Sequence, residues 1–90
     1  MLTKKPWGWF VKLLHLRCFW IKIIRVRRGQ RTSLQKHSER SELHVKLFPP
    51  SIRLYKRRQL HRMTEGLYIE FAWGKPIEDD IERVEDDYER

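Results

Sequence analysis

Four side chains carry metal-binding donors at an informative spacing: Gln35, His37 and Glu42 stand close together, and His61 follows well downstream. Gln35 and His37 are two residues apart, so on a strand they project to one side, and Glu42 can return to that side after a turn. Imidazole and oxygen donors in this mixture suit zinc, manganese, iron or nickel with positions left open for a substrate, and are too rich in nitrogen for a calcium preference. By spacing alone the same residues read at least as well as polar side chains on a solvated hairpin. The single cysteine, Cys18, has no internal disulfide partner and lies beside Phe19 and Trp20, where a buried, inert thiol is expected.

The elements that would hold these groups read mostly as strands. Residues 10–28 are rich in Phe, Trp, Ile and Val, and their charges scatter around a helical wheel instead of sharing a face. With a two-residue period, Trp20, Lys22, Ile24 and Val26 fall on one side and Ile21, Ile23, Arg25 and Arg27 on the other. Arg27-Arg28-Gly29-Gln30 is predicted to turn the chain, and residues 33–37 and 42–47 to alternate like a second hairpin. Pro49-Pro50 is expected to break any ladder. Residues 52–62 are strongly basic with weak periodicity, whereas 67–73 read as a strand closed by Gly74. Ile77, Ile81, Val84 and Tyr88 recur at helical spacing behind Glu78, Asp79 and Asp80, which predicts a short C-terminal helix or an ordered acidic tail. The tail is expected to fold back on the rest with those four apolar residues against the sheet.

A chain of this length forms one small domain, residues 1–90, and buries only about 60–70% of its unfolded surface. A metal or a second subunit is the expected source of further stability, so a homo-oligomer is anticipated. Residues 1–66 hold 17 Lys and Arg against 3 acidic residues, and residues 67–90 hold 3 against 9. That asymmetry suits an anionic partner for the basic part or a tail that neutralises it. The apolar stretch 9–26 is interrupted by Lys12, His15, Arg17, Lys22 and Arg25, which argues against a transmembrane helix, and no secretory cleavage pattern follows Met1. A cytoplasmic protein without a membrane partner is expected.

The order Gly29, Gln35, His37, Glu42 resembles the first cupin motif. More of the chain resembles the C-terminal isomerase domain of type II mannose-6-phosphate isomerases: Lys5-Pro6-Trp7-Gly8, Lys22, Gly29-Gln30, Ser33-Leu34-Gln35-Lys36-His37, Arg40, Glu42, His61-Arg62, Ile69-Glu70, Gly74, and the tail from Glu78 to Arg90. The resemblance implies a mostly β, jelly-roll type cupin barrel. It implies Gln35, His37, Glu42 and His61 as ligands of a divalent metal, with zinc the expected ion. It places Lys22, Arg83 and Arg90 around a phosphorylated sugar, with Lys22 and Arg83 as catalytic groups. The segment from Pro49-Pro50 to His61 is about two strands shorter than in the family, so an open barrel, one completed by another subunit, or a degenerate remnant is expected. The family's Gly-rich nucleotide signature is absent, and nucleotidyl transfer is not anticipated.

The activity so implied is metal-dependent interconversion of phosphorylated aldose and ketose hexoses, as in mannose-6-phosphate isomerase, a step of carbohydrate metabolism. Its general base is unassigned, with Glu70 and Lys22 the candidates. The shortened middle favours an alternative, a non-catalytic or degenerate cupin that binds a sugar phosphate or a metal. The basic region 53–62 would also permit nucleic-acid binding, but no nucleic-acid motif accompanies it and such a partner is not expected.

Overall fold

A computed structural model of the chain describes residues 2–48, 50–74 and 81–87. β-Branched and aromatic residues at alternating positions make it a β-protein: β1 (Leu2–Lys5), β2 (Gly8–Leu16), β3 (Phe19–Arg31), β4 (Leu34–Lys36), β5 (Arg40–Leu47), β6 (Pro50–Tyr55), β7 (Thr64–Gly74) and β8 (Glu82–Glu85). Six strands form one antiparallel sheet in the order β1-β2-β3-β7-β5-β6, and β4 pairs with β8 in a second, two-stranded sheet. The large sheet is not closed into a barrel, since β1 and β6 are its two edges.

The inner face of the large sheet is the one to which Trp20, Lys22, Ile24 and Val26 point, all four of them buried as the two-residue period predicts. Trp7, Phe10, Ile24, Val26, Met63 and Tyr68 form the apolar core on this side. Close approach of the first strands depends on Gly8, where a Cβ would stand 1.8 Å from the Arg25 carbonyl oxygen. β4, β8 and the segment carrying His61 and Met63 cover the inner face, and a cavity remains between the two layers.

Several expectations are corrected. Residues 27–30 continue β3 through an irregularity between Val26 and Arg31, with Gly29 at φ 76°, and do not reverse the chain. β4 and β5 do not form a hairpin: β4 takes β8, and β5 lies between β6 and β7. Pro50 opens β6, opposite Leu47, because a proline is tolerated at the first residue of an edge strand. Residues 82–85 are a strand and not a helix, because their backbone groups pair with β4. Val84 is accordingly exposed and does not pack on the large sheet. Ile77, Tyr88 and the 78–80 carboxylates lie outside the described residues. Cys18 is exposed in the turn between β2 and β3 instead of buried. No helix among the described residues is long and apolar enough to cross a membrane.

Candidate metal centre and cavity

Antiparallel register builds the site as rows across the inner face. One row runs Lys12, Lys22, Glu70, His44, Arg53 over β2, β3, β7, β5 and β6. The adjacent row holds His15, Trp20, Ala72, Glu42 and Tyr55. Glu42 and His44 are two apart on β5 and therefore neighbours on this face. Polar groups thus occupy the middle of a covered face, where each needs a partner.

His37 and His61 reach the same place from outside the large sheet. The loop after β6 is pinned by Arg58, in the left-handed region at φ 64°, whose N–H donates to the His37 carbonyl at 2.7 Å. His61 then forms a bridge with Gln35, whose backbone groups exchange hydrogen bonds with it at 3.0 and 2.8 Å. The ring nitrogens of His37 and His61 and a carboxylate oxygen of Glu42 all lie within 4.8 Å of one another, and all three side chains are buried. Glu42 Oε2 is 3.5 Å from His37 Nε2 and 2.8 Å from Arg40 Nε, while Oε1 is 2.8 Å from His44 Nε2 and 3.4 Å from His61 Nε2. Gln35 lines the neighbouring cavity, and its side-chain oxygen accepts a hydrogen bond from Ser33 Oγ at 2.8 Å.

Both ring nitrogens of His61 are buried without a hydrogen-bond partner among the described residues. Burial, followed by the charges of His44 and His37, lowers its pKa to about 3. The ring is therefore neutral at pH 7 and presents a lone pair, as a metal ligand must. His44 behaves oppositely: burial opposes its charge, but hydrogen bonds with Glu42 and Glu70 outweigh it and raise the pKa to about 9. Glu70 stays below the usual carboxylate range despite burial, held there by His44 and Lys22. Its Oε2 also accepts a hydrogen bond from Trp20 Nε1 at 2.8 Å.

Lys22 is buried, with Nζ 4.0 Å from the Trp20 ring centroid and 4.4 Å from that of Phe10. A desolvated cation over two aromatic faces is held by their quadrupoles. Arg83 on β8 stands opposite Gln35 in register, lines the cavity, and lies 3.8 Å from Asp86. Arg90 lies outside the described residues. The cavity, about 160 Å³, brings Lys5, Lys22, Arg40 and Arg83 together with Gln35, His44 and Glu70. Sequence reasoning missed His44, although its place two residues beyond Glu42 on an alternating strand was a usable signal. It also missed Trp20 as the group that holds Glu70, for which no spacing signal exists.

A family model described as mannose-6-phosphate isomerase C-terminal matches residues 2–71. No curated protein matches the chain.

Proposed function

Since the chain belongs to the mannose-6-phosphate isomerase C-terminal family, an isomerase-like cupin family, we propose that it is a metal-dependent isomerase of phosphorylated hexoses. The observation that carries the proposal is the convergence of His37, Glu42 and His61 beside a cation-lined cavity, with both His61 ring nitrogens buried and without a hydrogen bond among the described residues. Two imidazoles and a carboxylate fit a divalent ion of the zinc type, and Gln35 is the fourth proposed ligand. Such an ion, when bound, polarises the sugar carbonyl or the adjacent hydroxyl.

The remaining work falls to the chain's own side chains. Lys22 and Arg83, with Lys5 and Arg40 in the same cavity, hold the phosphate, and fixed cations in a partly enclosed space bind it more strongly than they would in water. Arg90 is proposed as a further phosphate contact. Glu70 and His44 face the cavity as an oppositely charged pair, placed to accept and to return the proton that moves between C1 and C2. Trp20 holds the Glu70 carboxylate in position.

A second reading, a binding module without turnover, is favoured by one observation, the unclosed sheet. Incubating zinc-, manganese- or cobalt-loaded protein with mannose 6-phosphate and following fructose 6-phosphate by NMR distinguishes the two. Turnover that requires the metal supports the isomerase. Binding of the sugar phosphate without conversion leaves the binding module, and absence of both metal uptake and sugar-phosphate binding sinks both readings.

A further inference from the structure

The inner face of the large sheet borders a second cavity, beside the one proposed for the sugar phosphate. Alternation places Lys46 with His44 on that face of β5, and Ser51 with Arg53 on that face of β6. Register sets Arg53 opposite His44, and Lys46 between Ser51 and Tyr68. Arg62 and Thr64 line the same space from the segment after His61, and the cavity so formed holds about 270 Å³. His44 lines both cavities. In its row Glu70 and Lys22 follow on one side and Arg53 on the other, so His44 is the partition between the two spaces.

We propose that this cavity is a second anion site, one that takes the phosphoryl group of a small molecule or phosphate itself. Its wall holds three cations, Lys46, Arg53 and Arg62, and no carboxylate among the described residues. Arg62 is fixed before any ligand arrives: its Nε donates to the Thr32 carbonyl at 2.9 Å, and Nη1 lies 3.3 Å from Glu85. A guanidinium has five N–H donors, so others remain for an anion. Glu85 offsets the charge of Arg62, whereas Lys46 and Arg53 form no ion pair among the described residues. Like charges gathered around one space repel, and an anion between them relieves the repulsion. Ser51, Thr64 and Tyr55 add hydroxyl groups to the wall. Guanidinium forks and hydroxyl donors together suit a group with several charged oxygens. The volume falls below the ~300–1,000 Å³ of pockets that enclose larger ligands, which favours a small one. Arg53 is exposed on the edge strand, so the site can be reached from solvent.

Amide NMR spectra of the full chain during titration with inorganic phosphate test this, with ionic strength held constant by sodium chloride. Saturable shifts are expected at the amides of Lys46, Arg53 and Thr64, which line the cavity. They are expected to persist in Arg83→Gln, which removes a cation from the first cavity only. Arg53→Gln, on the exposed edge strand, is expected to keep the folded spectrum and to weaken this binding about tenfold or more. Lys46→Gln asks the same question from β5. Repeating the titration with mannose 6-phosphate identifies the source of the phosphoryl group. Tighter binding at the same amides assigns the site to a phosphorylated sugar, and equal binding assigns it to the phosphoryl group alone. Shifts that follow chloride equally well, shifts confined to the Lys22 and Gln35 side, or binding indifferent to both glutamine variants overturn the proposal. A single-stranded RNA that moves these amides where phosphate does not overturns it too, and assigns the cations to nucleic acid. Because the readout lies on β5, β6 and β7, failure of the first cavity to bind or convert a sugar leaves this result unaffected.

Discussion

At the scale of single residues, the site's conflict is that so many charged groups are buried together. Glu42 is almost wholly inaccessible yet touches Arg40, His44 and His61, and Glu70 is held by Trp20, Lys22 and His44. Removing one member of such a set leaves the others uncompensated, which costs ~3–5 kcal/mol for a buried pair. His61 is the exception, because its nitrogens have no hydrogen-bond partner among the described residues. An unsatisfied buried polar group costs ~1–3 kcal/mol, so His61→Phe is expected to leave the metal-free protein at least as stable as the wild type. The same variant is expected to lose stoichiometric metal. Urea titration of metal-free protein and elemental analysis after reloading measure the two effects. A large loss of metal-free stability would show that His61 is satisfied and structural.

At the scale of elements, the site depends on a small sheet held largely by surface charge. β8 and the residues after it are tied to β3 by Arg31 with Glu85 at 3.1 Å and Asp87 at 2.7 Å, to the His61 segment by Arg62 with Glu85 at 3.3 Å, and to β4 by Lys36 with Glu82 at 3.5 Å. The hydrogen bonds and charge of Arg31 hold the Asp87 carboxyl below its usual range. A carboxylate depressed on docking stabilises the docked strand above its undocked pKa and loses that contribution as pH falls through the docked value. The protection of the Lys36 and Glu82 amides from exchange, relative to the intrinsic rate at each pH, is therefore expected to stay constant from neutrality down to ~pH 4 and to fall below it. Added salt is expected to lower the protection too, since exposed pairs are screened. Release already complete at pH 5 would assign the attachment to another group. Because Arg83 rides on this strand, loosening β8 also removes a cation from the cavity.

At the scale of the whole molecule, a chain of 90 residues places its buried polar row where a larger protein would place core. Its apolar cluster of Trp7, Phe10, Ile24, Val26, Met63 and Tyr68 occupies one end of the inner face only. Metal binding draws on the same free energy as folding, and an ion at one hundred times its dissociation constant adds ~2.7 kcal/mol. A divalent ion is thus expected to raise the melting temperature and a chelator to return it to the metal-free value. His61→Phe should abolish that response, and a melting temperature indifferent to zinc, manganese and cobalt would remove the metal from both the fold and the site.

The sequence alone determined what depends on local alternation: strands at 20–26 and 67–73, the inward set Trp20, Lys22, Ile24 and Val26, and the pairing of residue types that makes a metal ligand set conceivable. A period of two follows from backbone geometry and needs no partner strand to be read. Which strands become neighbours was decided by the tertiary structure. β7 enters between β3 and β5, and this insertion sets Glu70 beside both Lys22 and His44. The tail shows the same division. Ile77, Ile81, Val84 and Tyr88 have helical spacing, yet residues 82–85 form a strand because β4 offers its edge there. His61 lies in a segment with almost no periodicity, and it reaches His37 and Glu42 only through the Arg58 turn and the bridge to Gln35. Local pattern selects the element and its faces; pairing across long stretches of chain selects the neighbours, and the site is made of neighbours.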